Sequence, residues 1–437
     1  MKKRGLLRKG VRLAGVLGTS TAAVLVSPPG AHAATSATVI AGGSDTTQDA
    51  MTQFMAEQNG AAITYNGTQY NISTYNIPAL PGAAGFNTPA HTYCPATTWT
   101  ADSTPATPAY PPNRGRAPFG SGAGRDYIGQ FEELTGTVPI GEKGCIGVAR
   151  SSSGKRTIGV GSGFDTAGMH YYAYALDAVS WASTSLKAPP KLTLSQIQGI
   201  YNCTITNWNQ VGGGDGPIVP YLPQTGSGTR SFFIGAFLGG TTPATSCVPT
   251  SRYIEENEMK SVVAADIDRA IMPYSAALWD FQESNKTNPT LDKRNGAKLG
   301  GYVTGAATPV TGNPAQWVAG DNQYELATPA LESFLANPAS YAVVSENNEK
   351  AANPAFSSAT DYVGIRYVYN VVNANLPTDV WQPAHALVGF DNVASGFKSP
   401  MCNGSGAGAI QTAGLATLDN SNPNSLNAAG STCRKTI

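Results

Sequence analysis

The chain has 437 residues, 41% of them hydrophobic and 13% charged, which suits two ordinary domains or one large two-lobed body and excludes a disordered polyelectrolyte. Its 28 Lys and Arg match 28 Asp and Glu, but Lys2, Lys3, Arg4, Arg8, Lys9 and Arg12 all fall in the first 33 residues, so the rest carries 22 − 28 = −6. That charge disfavours nucleic acid or an anionic membrane as a partner, since both call for a basic face.

Residues 1–33 carry the parts of an export signal: the basic start, an apolar stretch from Leu13 to Val26, and Ala31-His32-Ala33 as a small-residue cleavage site. Gly and Thr break the apolar stretch well short of the roughly 20 residues a membrane span needs. No cysteine follows it for lipid attachment. A secreted or cell-surface protein without direct membrane insertion is expected. All six cysteines (Cys94, Cys145, Cys203, Cys247, Cys402, Cys433) lie beyond the signal, and an even number in an exported chain argues for disulfides. Fifteen pairings are open in principle; sequence neighbours are the expected ones, Cys94 with Cys145, Cys203 with Cys247 and Cys402 with Cys433. No C-x-x-C spacing occurs, so neither a metal site nor a redox centre is expected.

Along the chain, Thr38-Val39-Ile40-Ala41 reads as a short buried strand running into Gly42-Gly43-Ser44-Asp45-Thr46-Thr47 and an amphipathic helix with Met51, Phe54 and Met55. Asp45 or Thr46 suits the helix N-cap. Residues 60–118, rich in Thr, Asn, Pro and Tyr, read as strands and loops. A second Gly/Ser turn, Phe119-Gly120-Ser121-Gly122-Ala123-Gly124, opens another helix, and Ile146–Ala149 is a strand ending at Arg150-Ser151-Ser152. Residues 171–181 form a long, mostly buried strand whose one carboxylate, Asp177, is costly unless paired or functional. A short capped helix over 192–201, a loop over 207–213 and a strand over 218–222 follow. Then comes Gly226-Ser227-Gly228-Thr229-Arg230, a Gly-rich turn opening an aromatic helix. Its backbone N–H groups, hydroxyls and helix dipole suit a small anion, and Arg230 offers a charged fork; as an isolated motif it reads more readily as an ordinary cap. Farther on, 270–275 is strand-like, 327–335 helical, and 362–372 the strongest strand signal of the C-terminal half. Alternating strands and helices argue an α/β fold, whose ligands sit where Gly-rich loops leave strand ends.

These motifs together, with Leu176-Asp177-Ala178-Val179, Leu192-Thr193-Leu194 through Ile200-Tyr201, and the segment from Cys402 to Leu418, resemble the PstS-like phosphate-binding proteins of ABC transporters, most closely their actinobacterial branch. The resemblance implies a bilobal type II periplasmic-binding-protein-like fold, two α/β lobes joined by two crossing strands. In that reading residues 34–178 and 362–437 make lobe 1 and 179–361 lobe 2. It implies capture of inorganic phosphate as a monomer, without cofactor or catalysis, in service of an ABC transporter's membrane component. Carried over by position, Thr46, Thr47, Ser121, Ser227, Gly228 and Thr229 donate to phosphate oxygens. The family places an Asp where Ser152 stands and an Arg where Pro223 stands. Arg150 and Arg230 are the candidates to restore the positive charge, and Asp45 or Asp177 the candidate acceptor for phosphate's proton. Sulfate, which has no proton to offer, is the alternative ligand if neither carboxylate reaches the pocket. A secreted hydrolase and a cell-surface structural protein are the rivals from other classes. The chain has no Gly-x-Ser-x-Gly elbow.

Overall fold

A computed structural model describes residues 36–58, 63–65, 68–74, 86–87, 98–99, 120–129, 146–159, 163–303, 364–389, 399–418 and 433–436. The expected export signal, Cys94 and Cys145, and the helix expected over 327–335 lie outside these residues.

In chain order the elements are β1 (Ser36–Gly43), α1 (Gln48–Gln58), β2 (Ile63–Tyr65), β3 (Thr68–Thr74), β4 (Phe86–Asn87), β5 (Thr98–Trp99), α2 (Ser121–Gly129) and β6 (Val148–Ser151). They continue with β7 (Met169–Ser183), β8 (Lys191–Thr193), α3 (Leu194–Tyr201), β9 (Val219–Pro220), β10 (Leu222–Pro223), α4 (Gly228–Ala236), β11 (Tyr253–Ile254), β12 (Ala270–Ser275) and α5 (Ala276–Ser284). The last are β13 (Lys298–Val303), β14 (Ile365–Asn373), α6 (Thr378–Val388), α7 (Ala407–Thr412), β15 (Ala416–Thr417) and β16 (Arg434–Thr436). Strands and helices alternate, so the architecture is mixed α/β, as the sequence pattern implies.

The strand β7 organises the sheet. Its 15 residues are almost entirely buried, which explains their near-continuous apolar and aromatic run rather than a half-buried alternation. Residues 169–178 of β7 pair antiparallel with β14, whereas 179–183 pair antiparallel with β12. The change of partner falls between Ala178 and Val179. On the β14 side the sheet continues through β6 and β1 to β3, with β1 parallel to both β6 and β3. On the other side β12 is parallel to β9. Apolar side chains gather in separate clusters; one packs Met51, Phe54, Val148 and Leu387, another Trp181, Trp208, Phe233 and Phe237.

Local chemistry sets several boundaries. Thr193 caps α3 in a reciprocal box with Gln196, each side chain bonding the other residue's backbone N–H. The expected strand over 218–222 divides: β9 joins the large sheet, the backbone N–H of Tyr221 extends that pairing to Ile271 O at 2.8 Å, and β10 pairs with β11. Within the expected loop over 207–213, Trp208–Val211 winds into a 3-10 turn capped by Asn207 and ended by Gly212 in the left-handed region. Cys203–Cys247 and Cys402–Cys433 are both formed, spanning 44 and 31 residues. Closing loops of this length removes entropy from the unfolded chain worth about 2–4 kcal/mol each.

Candidate functional site

The carboxyl ends of the parallel strands β1 and β6 lie side by side, Gly43 opposite Arg150, with Ser44 N–H bonded to Arg150 O at 2.9 Å. The start of α2 joins them: Gly120 N–H donates to Gly43 O at 3.2 Å, and Gly122 N–H donates to Gly226 O at 2.8 Å. The turn before α4 is thereby stitched to the turn before α2. Glycine is required where these turns meet. Gly120 and Gly226 have φ of 90° and 92°, and a Cβ on Gly228 would overlap the hydroxyls of Ser121 and Ser152.

At this meeting point lies the carboxylate of Glu256, fully buried, two residues beyond the end of β11. Its Oε1 accepts from Asp45 N–H and Thr46 N–H, both at 3.1 Å, and lies 3.3 Å from Thr46 Oγ1 and 3.2 Å from Ser44 Oγ. Its Oε2 accepts from Ser227 Oγ and, at 3.3 Å, from Thr229 N–H. Ser227 is also the N-cap of α4, its Oγ accepting from Arg230 N–H at 3.0 Å, so the carboxylate sits on the positive end of that helix. The Ser44 proton is shared between Glu256 and Ser152 Oγ, 3.0 Å away. The donors come from two loops more than 180 residues apart in sequence, and all are neutral hydroxyls or backbone amides.

Arg366 of β14 ties the same two loops together. Its Nη2 donates to Thr229 Oγ1 at 3.0 Å and to Thr46 Oγ1 at 3.3 Å, and these two hydroxyls lie 3.1 Å apart. It is held by Asp177, its register partner on β7, through Nε at 2.9 Å and Nη2 at 2.7 Å. Asp177 also accepts from Ser275 Oγ at 2.7 Å and Ala277 N–H at 3.4 Å at the start of α5. The buried acid that the sequence marks as costly is therefore paired.

The residues singled out from sequence do not all meet at this centre; Arg150 lines it through its backbone, its carbonyl accepting from Ser44 N–H. Thr46, Ser227 and Thr229 surround the Glu256 carboxylate, and Asp45 reaches it through its backbone N–H. Ser121 and Ser152 stand one step behind: Ser121 Oγ accepts from Ser152 N–H at 2.9 Å, and Ser152 Oγ adjoins Ser44. Gly228 supplies clearance, as described. The others point elsewhere. Thr47 Oγ1 turns back to Ser44 O at 3.5 Å. Arg230 donates to Pro223 O at 3.0 Å and stacks 3.9 Å over the Tyr253 ring, so its fork faces away from the carboxylate. Asp177, with four donors on it, has no lone pair to spare for a ligand proton. Glu256, Arg366, Ser44 and Asn257, whose Nδ2 donates to Thr46 Oγ1 at 3.1 Å, escaped the sequence reading. The signals were the acidic run Glu255-Glu256-Asn257-Glu258 just after a strand, and a lone Arg in the apolar strand opposite a lone Asp.

Around this centre is a buried charge cluster. Burial, reinforced by Glu256 and Glu258 and opposed by Lys293, pushes the Asp45 carboxyl up to about 7. Burial likewise raises Asp49, Glu255 and Glu258. Burial alone would lower Lys293, but Asp45, Glu258 and Glu255 outweigh it and hold the ammonium charged; its Nζ lies 3.5 Å from Glu258. Burial brings Arg150 down to about 10 despite nearby Asp45.

No curated protein matches the chain. Among solved structures it is similar to a protein described as a phosphate ABC transporter substrate-binding protein, with bound phosphate, from Clostridium perfringens: 16% identity over 83% of this chain and 98% of that one, TM-score 0.42. It is also similar to an ABC-type phosphate transport receptor from Vibrio cholerae, with 14% identity over 86% and 99% of the two chains and a TM-score of 0.39. A human phosphate binding apolipoprotein gives 12% identity over 86% and 90%, with a TM-score of 0.42. A family model described as a PBP superfamily domain matches residues 135–369, more than half of the chain. With its mixed α/β fold, the protein belongs to the PBP superfamily.

Proposed function

We propose that this protein is an exported receptor for inorganic phosphate that closes two lobes on the anion and hands it to an ABC transporter, without catalysis. One observation carries the reading: hydroxyls and backbone N–H groups of Ser44–Thr46 and of Ser227–Thr229 converge on one anionic group. Neutral dipoles at a helix start, shielded from water, bind an oxyanion without a basic surface, which suits a chain of net negative charge. Membership of the PBP superfamily supports a binding role. The lobes are residues 34–178 with 362–437, and residues 179–361. The switch of β7 partners between Ala178 and Val179 supports this division. In this reading β7 crosses from one lobe into the other, and the donors of Ser44–Thr46 and Ser227–Thr229 belong to opposite lobes. The ligand contacts are Asp45 and Thr46 N–H, Ser227, Thr229 and Arg366, with Ser121 and Ser152 reinforcing the hydroxyl chain.

Sulfate is the second reading, favoured by the full engagement of Asp177, which leaves that carboxylate unable to accept phosphate's proton. Calorimetric titration of the chain with phosphate and with sulfate separates the two. Phosphate is expected to bind and sulfate to bind at least about 10-fold more weakly, a difference of about 1.4 kcal/mol. Thr229→Val, which keeps the side-chain shape and removes the Oγ1 donor, is expected to weaken phosphate binding by about 10-fold. An unchanged affinity in Thr229→Val would remove this site from the account.

A further inference from the structure

The donor set described above is already filled by the chain itself. Glu256 is not a side chain that has wandered in, because its backbone is fixed on both sides. Before it, Gln224 N–H bonds Ile254 O at 2.7 Å, locking the end of β11 to the loop that precedes α4. After it, Asn257 takes a left-handed backbone with φ of 59°, a conformation asparagine adopts more readily than other non-glycine residues, and its surroundings hold it there. Those surroundings are Ser275 N–H on Asn257 Oδ1 at 2.7 Å, Gln282 Nε2 on Asn257 O at 3.1 Å, and Asn257 Nδ2 on Thr46 Oγ1. The fit is also incomplete. A carboxylate has two oxygens, and Arg366, which bridges the same two threonines, keeps its Nη1 buried with no hydrogen-bond partner among the described residues. A tetrahedral oxyanion brings four oxygens to such a donor set.

We infer that Glu256 is a tethered competitor for the anion site: a soluble oxyanion enters only by displacing the Glu256 carboxylate, which sets the affinity threshold and selects tetrahedral oxyanions over monocarboxylates. This rests on the reading of the site as an oxyanion receptor. A group attached two residues from a fixed strand end competes at an effective concentration of about millimolar or more, so weak free carboxylates cannot dislodge it. The apparent affinity of the ligand falls by the fraction of time the site is open. With the carboxylate seated about 90–99% of the time, removing it tightens phosphate binding by about 10- to 100-fold.

The test is calorimetric titration of wild type, Glu256→Gln and Glu256→Ala with inorganic phosphate, together with thermal melts in acetate. Both variants are expected to bind phosphate about 10- to 100-fold more tightly than wild type. Glu256→Ala, with its donors uncapped, is expected to melt lower than wild type and to regain its melting temperature in acetate, to which wild type does not respond. Equal phosphate affinity in wild type and variants overturns the competitor and leaves the receptor reading standing. Weaker binding in the variants also overturns it, assigning Glu256 to hold the ligand rather than to exclude it. No phosphate binding by wild type or by either variant overturns the receptor reading itself, and the inference with it. If Glu256→Ala does not fold, Glu256→Gln, which keeps the side-chain volume, decides the outcome alone.

Discussion

Asp177 and Glu256 are buried carboxylates in nearly the same local setting. Each sits at the start of a helix, accepts from the capping serine (Ser275 for one, Ser227 for the other), and takes a backbone N–H two residues further on, from Ala277 or Thr229. The difference is the rest of the shell. Asp177 faces the Arg366 guanidinium through two bonds, between strands paired in fixed register. Glu256 is completed by hydroxyls and amide N–H groups of a second loop. A carboxylate locked to a guanidinium is a strut, because parting the two leaves a buried charge on each side. A carboxylate held by neutral dipoles is exchangeable, because another anion can take over the same donors. The comparison teaches that helix-start geometry alone does not separate a structural acid from a binding site; the charge of the remaining partners does.

The largest expected effect breaks the strut. Arg366→Met leaves Asp177 charged and buried, and denaturant unfolding is expected to show a loss of about 3–5 kcal/mol. If the loss is as small as that of a surface substitution, Asp177 and Arg366 are not the rigid member of the comparison.

A smaller effect comes from Asp45, whose backbone N–H serves Glu256 while its own carboxyl is buried nearby. With its carboxyl raised from 3.8 to about 7 by burial, the folded chain keeps a proton there that the unfolded chain loses above pH about 4. Its contribution to stability is therefore complete below that pH and falls as pH rises towards 7, by up to about 1.4 kcal/mol per pH unit. Glu255, Glu258 and Asp49 are raised too and act with the same sign. Melting temperatures between pH 4.5 and 8 are expected to decline less steeply in Asp45→Asn than in wild type; parallel curves would show that Asp45 stays ionised in the folded chain.

The smallest effect separates the two arginines. Because Arg230 spends its fork on Pro223 O and the Tyr253 ring, Arg230→Ala is expected to change phosphate affinity by less than about 3-fold while costing about 0.5–1 kcal/mol of stability. A loss of binding would place its guanidinium on the ligand.

Much of this was legible from the residues. Each Gly/Ser turn opening a helix is a local pattern, so the loops at Ser44–Thr46, Ser121 and Ser227–Thr229 could be found one at a time. The long apolar run of β7 was equally plain, and the expense of burying Asp177 announced a partner. Which partner was another matter, since Arg366 lies 189 residues away. Arg230 is adjacent to the anion-binding turn in sequence, but its direction depends on Tyr253, which β11 brings beside it. The run Glu255-Glu256-Asn257-Glu258 has the composition of a solvated loop, and nothing local betrays that it is buried.

By itself, then, the sequence determined the alternation of elements and the helix-start loops, because these follow from backbone sterics, hydrogen-bond capping and periodic burial over a few neighbouring residues. Tertiary structure decided which arginine serves the centre and which carboxylate fills it. Both depend on strand register and on the meeting of loops more than 180 residues apart, where the energy of a charge is set by whatever surrounds it in space.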